Sequence, residues 1–216
     1  MAYPESLAGK YIDYELDMGS SVDLSSQMID GVVADQTATA TVTVYSGGTP
    51  PTDPSDSVNV TPTCPPLTFT WLSRCAGYVT TVPVTGTVLT GPMTDGYLCR
   101  FTRGSMQVGH IGAAEDGHDP GTIRAKKAWL DFIARDDVVG AAPTDYFSYS
   151  ELQAATLAAV PTIVGCFTST KAYSLLLAPV RGSQNPKGMR LVRVAGVKQM
   201  TLQPWTTIAA MRRFRV

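Results

Sequence analysis

Alternation of β-branched or aromatic residues with other residues constrains the fold of this chain more than any other feature. The segments KYIDYELDM (residues 10–18) and TATATVTVYSG (37–47) alternate in this way, which is typical of strands with one buried face. Further segments with apolar or alternating character are LTFTWLS, GYVTTVPVTGTVL, TIVGCFTS, AYSLLLAPV and MRLVRVAG. The sequence therefore predicts strands in both its first and its last third.

Two segments between these strands have helical patterns. DPGTIRAKKAWLDFIARDD places Pro120 at the first helical position, after Asp119 as the N-cap. SELQAATLAAV begins with a candidate capping box from Ser150 to Gln153 and must end near Pro161. Strands on both sides of two helices predict an α+β fold. We expect two packed mixed β-sheets, sandwich-like, with outer helices.

Length and composition predict one domain over residues 1–216, with an exposed loop at the Gly- and Pro-rich segment 47–57. The formal net charge is −1, which argues against a dedicated nucleic-acid binder. Every acidic residue lies at or before Glu151, so the last part of the chain is basic. This polarity can join two halves of one fold, or it can leave a basic face for an acidic partner, and MRRFRV (211–216) is the local basic patch.

Cysteine spacing and hydropathy exclude several other classes. No C-x-x-C or zinc-type spacing occurs, and there are only two histidines, so we expect no metal and no cofactor. No apolar run approaches the ~20 residues of a membrane span, and no signal-peptide core is present. We therefore expect residence in a reducing cytosol, while export without a cleavable signal stays open. The protein is also expected to be a monomer. The cysteines are Cys64, Cys75, Cys99 and Cys166.

The segment CRFTRGSMQVGH (99–110) predicts a tight hairpin whose ends carry candidate catalytic residues. Gly104-Ser105 fits a two-residue type II′ turn. In that register Cys99 lies directly opposite His110, with Cβ atoms ~4.5–5.5 Å apart. An imidazole at this distance can accept the thiol proton, stabilise the thiolate and later protonate a leaving amine.

The same two residues also fit a purely structural interpretation. In the predicted register Cys99 and His110 share a face with four apolar side chains, namely Tyr97, Phe101, Met106 and Val108. Cysteine is often buried, and one backbone carbonyl can satisfy a histidine. Cys75 and Cys166 are expected to be structural, and EDGHD (115–119) is expected to be a polar loop before a helix rather than a metal site.

The hairpin, the following IGAA and the helix with Trp129 resemble the glutamine-deamidase toxins. This family includes the Burkholderia lethal factor and the catalytic domain of the cytotoxic necrotizing factors. The resemblance covers residues 67–180 and continues into TIVGCFTSTKAYSLLLAPV. It implies that Cys99 is the nucleophile and His110 the general acid/base, and that the reaction is deamidation of a glutamine in a protein substrate.

The resemblance also implies a role as a toxin or virulence effector, delivered to a host cytosol. A Rho-type GTPase or a translation-initiation RNA helicase would be the substrate. One departure concerns Leu98, which stands where the family motif has glycine before the nucleophile, and Thr94 matches a family threonine only approximately. The candidate orienting residues are Asp95 and Asp116. The alternatives are an inactive relative that serves as a protein-binding module, and a cysteine protease or acyltransferase with the same dyad.

Overall fold

The computed structural model describes residues 4–17, 28–29, 32–34, 37–47, 60–63, 65–75, 77–93, 96–112, 120–133, 137–156, 160–184 and 190–210. The strands are β1 (Tyr11–Asp17), β2 (Met28–Ile29), β3 (Val32–Ala34), β4 (Thr37–Gly47), β5 (Val60–Pro62), β6 (Leu67–Ser73), β7 (Val79–Pro83), β8 (Val88–Met93), β9 (Tyr97–Arg103), β10 (Ser105–Ile111), β11 (Val139–Ala141), β12 (Thr162–Phe167), β13 (Ala172–Gln184), β14 (Arg190–Gln199) and β15 (Gln203–Pro204). The α-helices are α1 (Pro120–Phe132), α2 (Tyr149–Ala155) and α3 (Trp205–Ala210), and 3₁₀ helices lie at Pro4–Leu7 and Pro143–Tyr146.

Seven strands close into a barrel. Their order is β1–β14–β13–β12–β8–β6–β4, and β4 pairs in turn with β1 over the whole of that strand. Neighbouring strands are antiparallel except β6 and β8, which are parallel. β5 pairs with the end of β4, outside the ring. Closure satisfies the backbone groups that an open sheet would expose at its edges.

A second sheet packs on the outside of this barrel. Its order is β15–β11–β9–β10–β7–β3–β2. Leu98 and Val108 of this sheet share one buried cluster with Leu72 and Phe167 of the barrel wall. A Cβ at Gly165 of β12 would overlap the Leu98 side chain, so the missing side chain lets the two layers approach closely.

Two helices cover the other face of the second sheet. Trp129 of α1 and Trp205 of α3 meet edge to face, with ring centroids 5.4 Å apart. Phe101 of β9 packs on Trp129 at 5.5 Å, a separation within the favourable range for aromatic pairs. The order of layers is therefore barrel, second sheet and helices.

The expected α+β sandwich of two sheets with outer helices is wrong, because the protein is mostly β and one sheet is a closed barrel. Alternation identifies the buried face of each strand, but it is the same for an open and a closed sheet. Closure depends on the pairing of β1 with both β4 and β14, which no local pattern encodes.

Several predictions of individual strands and helices are confirmed, although the predicted architecture is wrong. The strand at 37–47 and the helix that begins at Pro120 are confirmed. The capping box is shifted, because Ser148 caps α2 and Glu151 completes the box, whereas Ser150 and Gln153 do not. That helix ends at Ala155 rather than near the proline at 161. Gly47 ends β4, and the rest of the expected 47–57 loop lies outside the described residues, as does Asp119.

Candidate functional site

The register of the β9–β10 hairpin separates the two residues of the expected dyad. The chain turns at Gly104, whose φ is +72°, and Arg103 pairs with Ser105. Cys99 therefore lies opposite Gly109 instead of His110. Since side chains alternate along a strand, a one-residue slip sends Cys99 and His110 to opposite faces of the sheet. The expected contact between them is wrong.

Cys99 lies in the layer between the second sheet and the helices. It is fully buried, in one cluster with Phe101 and Trp129. Its Sγ donates a hydrogen bond to the carbonyl oxygen of Gly109 at 3.3 Å. Burial raises the pKa of the Cys99 thiol well above its usual value, so the thiol stays protonated at neutral pH and is a poor nucleophile.

His110 lies on the other face, between the second sheet and the barrel wall. It is 1% exposed, and its Nδ1 is 2.6 Å from Oγ1 of Thr90 on β8. Burial, helped by the positive charge of Arg74, lowers the pKa of His110 to about 3. The imidazole is therefore neutral and too weak a base to activate a thiol at neutral pH. Its Nε2 is buried and has no hydrogen-bond partner among the described residues.

Alkylation of the folded protein tests this placement of the thiols. Iodoacetamide at pH 7 should label half-buried Cys75 at least about tenfold faster than Cys99 or Cys166. Burial raises the pKa of all three thiols, but only Cys75 is partly exposed to the reagent. Peptide mass spectrometry gives the rate at each site. In denaturant the three rates should converge. Faster labelling of Cys99 than of Cys75 in the folded state would contradict the structure and support a thiol nucleophile.

The other residues singled out in the sequence do not join a common site. Leu98 faces the barrel wall, and Cys75 and Cys166 carry free thiols. Several candidates lie outside the described residues: Cys64, Thr94, Asp95, Asp116, the EDGHD loop and the MRRFRV segment. Within the parts of the chain that the structure describes, no three His, Cys, Asp or Glu side chains group as a metal ion would require.

A second candidate site is a cavity inside the barrel. Its volume is about 680 Å³, within the ~300–1,000 Å³ that small-molecule sites usually have. Each of the seven barrel strands contributes at least one inward-facing residue, namely Ile12, Val42, Trp71, Leu89, Val164, Leu175 and Val194.

Side-chain exposure shows that the barrel interior is incompletely filled. Leu67 and Phe69 of β6 and Leu89 of β8 line the cavity, yet all three are only partly buried. Inward-facing residues of a filled small barrel would be buried by one another. These three apolar side chains therefore leave contact surface for a guest molecule.

One end of the barrel forms the mouth of the cavity. The loop Thr85–Thr87 and the turn Thr168–Thr170 line it, and the 3₁₀ helix Pro4–Leu7 contributes Pro4 and Leu7.

Glu5 holds this helix at the mouth. The buried Tyr173 hydroxyl donates to Glu5 Oε1 at 2.6 Å, and Lys171 Nζ lies 3.6 Å from the same oxygen. The Tyr173 hydrogen bond is the largest cause that lowers the pKa of Glu5 below its usual value, and Lys171 adds to it. Glu5 is therefore ionised at neutral pH.

The sequence shows which residues alternate along a barrel strand, but not which strands pair to enclose the cavity. Leu67, Phe69 and Trp71 alternate along LTFTWLS and line the cavity, together with Thr68. Which strands these residues face depends on the parallel pairing of β6 with β8. The thiol and the imidazole that the hairpin sequence singles out belong to the second sheet, outside the barrel.

The helices in the described parts of the chain are all too short or too polar to cross a membrane. Comparisons with protein-family models, curated proteins and solved structures find no match to this chain. The resemblance to the deamidase toxins therefore stays a prediction.

Proposed function

We propose that the protein is a non-catalytic binding protein that holds a small apolar molecule inside its seven-stranded barrel. The single observation that carries this proposal is the partly unfilled interior, a cavity of about 680 Å³ that all seven strands line. Protein cores normally fill such space. The unfilled space inside this barrel leaves apolar side chains that a ligand can contact.

The energetics favour an apolar guest. The inward side chains of the barrel are mostly aliphatic or aromatic, as Leu89, Val164 and Leu177 illustrate. Water in contact with such walls lacks hydrogen-bond partners, while a hydrocarbon regains dispersion contacts with them. Each Å² of apolar ligand surface removed from water contributes roughly 25 cal/mol. The gain must exceed the entropy that the ligand loses on binding.

This proposal departs from the deamidase hypothesis, and it shares with the protein-binding alternative only the lack of catalysis. A thiol–imidazole mechanism needs the base within hydrogen-bond reach of the nucleophile. Cys99 and His110 instead point to opposite faces of β9 and β10. The deamidase activity, the protein substrate, the monomeric state and the cytosolic residence stay predictions.

Binding of an uncharged fluorophore tests the proposal directly. Aminoanthracene should become more fluorescent as it enters the barrel, with saturable one-to-one binding. Leu89→Trp should weaken this binding at least about tenfold, a loss of about 1.4 kcal/mol, because the larger ring projects into the cavity that Leu89 lines. Titration by fluorescence gives both affinities.

A matched variant separates blocking from a general effect of the added indole. Thr102→Trp places the same ring at an exposed position of β9, away from the cavity, and should bind the probe as the wild type does. Phe69→Trp is a second blocking variant in case Leu89→Trp is unstable, and thermal unfolding verifies that each variant is folded. Equal affinity of the wild type and both folded blocking variants would overturn the proposal.

A further inference from the structure

We propose that the natural ligand is an amphiphile with an apolar chain and a neutral hydrogen-bonding head, such as a hydroxyl or an ester, rather than a carboxylate. This inference rests on the proposed binding function and names the class of ligand. The apolar chain lies inside the barrel, and the head lies at the mouth.

The barrel interior excludes charge. Among the described residues that line the cavity, none carries an Asp, Glu, His, Lys or Arg side chain. Its ionisable lining group is Cys166, and burial raises the pKa of that thiol to about 12, so it is neutral. An ionised head buried here would lose its hydration without gaining a counter-charge, which is prohibitive. A charged ligand therefore could not enter head first.

The mouth offers neutral hydrogen-bonding groups. Thr85, Thr87 and Ser169 line it, and a hydroxyl can both donate and accept. In the described part of the chain, no side-chain hydrogen bond occupies these three hydroxyls, whereas Thr168 Oγ1 is occupied within its own turn by the backbone N–H of Lys171 at 2.9 Å. A ligand hydroxyl or ester at this level can exchange water for these partners.

Charge at the mouth discriminates against an anionic head. Glu5 is ionised, and Tyr173 and Lys171 hold its carboxylate there. Lys171 is thus already compensated by Glu5. Arg100 reaches the neighbouring turn, where its Nη1 donates to the carbonyl oxygen of Thr170 at 3.3 Å, but it extends from the second sheet and does not line the cavity. A carboxylate head would have to compete with Glu5 for Lys171, whereas a hydroxyl needs no counter-charge.

Competition between two ligands with the same chain tests this inference. Dodecanol and dodecanoate, each below its micelle or solubility limit at pH 8, are used to displace aminoanthracene. Dodecanol should displace the probe with at least about tenfold higher affinity, because the dodecanoate carboxylate would lose hydration at the mouth and would have to compete with Glu5 for Lys171. Equal or tighter binding of dodecanoate would overturn the neutral-ligand inference while leaving the binding function in place.

The Glu5→Gln variant tests the source of the discrimination. Glutamine retains an acceptor for the Tyr173 hydroxyl but removes the charge, so dodecanoate should gain several-fold in affinity while dodecanol stays unchanged. The matched control is Glu151→Gln, which neutralises a similarly exposed glutamate paired with Lys198, and it should alter neither affinity. An unchanged preference in Glu5→Gln would contradict the role of Glu5. Failure of aminoanthracene and of both dodecyl ligands to bind wild-type protein would instead overturn the binding function itself.

Discussion

Gly109→Ala is expected to reduce the free energy of unfolding by about 2–3 kcal/mol, the cost typical of adding a methyl group to a filled core. A Cβ at Gly109 would lie 2.6 Å from Cys99 Sγ. The sulfur is fully buried among Phe101 and Trp129, so it can only shift by displacing these neighbours. Urea denaturation of the wild type and the variant measures the loss. Gly86→Ala is the control with little expected effect, since a Cβ there meets nothing within 4 Å.

A double-mutant cycle shows whether the loss comes from the contact with Cys99. Cys99→Ala removes the sulfur, so Gly109→Ala should cost much less in that background, and the two changes should couple by about 1–2 kcal/mol. This coupling follows only if Cys99 lies opposite Gly109, as the structure has it. Additive costs in the two backgrounds would contradict this register and reopen the pairing of Cys99 with His110.

Acidification is expected to remove about 2 kcal/mol of stability through His110 between pH 6.5 and pH 4.5. The folded-state pKa of His110 is about 3, below the unfolded value of 6.5. Below pH 6.5 His110 therefore binds a proton in the unfolded chain but not in the folded protein. The stability is complete above pH 6.5 and is lost as the pH falls toward 3, at about 1.4 kcal/mol per pH unit.

Urea unfolding as a function of pH measures this loss. His110→Gln removes the imidazole and should abolish that part of the pH dependence, whatever its cost at pH 7. His118→Gln removes the other histidine and should retain it. The window ends at pH 4.5 because Glu5 and Glu151, whose pKa values are lowered, contribute at lower pH. The same slope in His110→Gln as in the wild type would show that His110 is not a buried neutral base.

Strand positions were largely predictable because they depend on local alternation. The strand at 37–47 matches β4 at both ends, and the pattern in LTFTWLS identifies the inward face of β6. Ring closure was not predictable, since it depends on β1 pairing with β4 and with β14, far apart in sequence. The cavity is a product of that closure, so it was not predictable either.

The expected contact between Cys99 and His110 is wrong because the hairpin register differs by one residue. Gly104-Ser105 fits a two-residue turn by residue type, but the chain turns at Gly104, where a positive φ is available to glycine. The difference of one residue reverses the face on which His110 lies relative to Cys99. The structural interpretation from the sequence already allowed both residues to be buried, but it placed them on one face. The layers that bury Cys99 and His110 lie on opposite sides of the sheet, and the local sequence does not encode them.

Barrel closure bears on how the chain matures during synthesis. Tyr11 of β1 pairs with Tyr45 of β4 and also with Arg193 of β14. During synthesis β1 therefore lacks one of its two partners until β14 has left the ribosome. Until then β1 has one unsatisfied edge, and contacts of such long sequence separation form slowly. Until β14 is synthesised, the nascent chain therefore exposes an open sheet that is prone to aggregation. A chaperone that shields this sheet should raise the yield of folded protein.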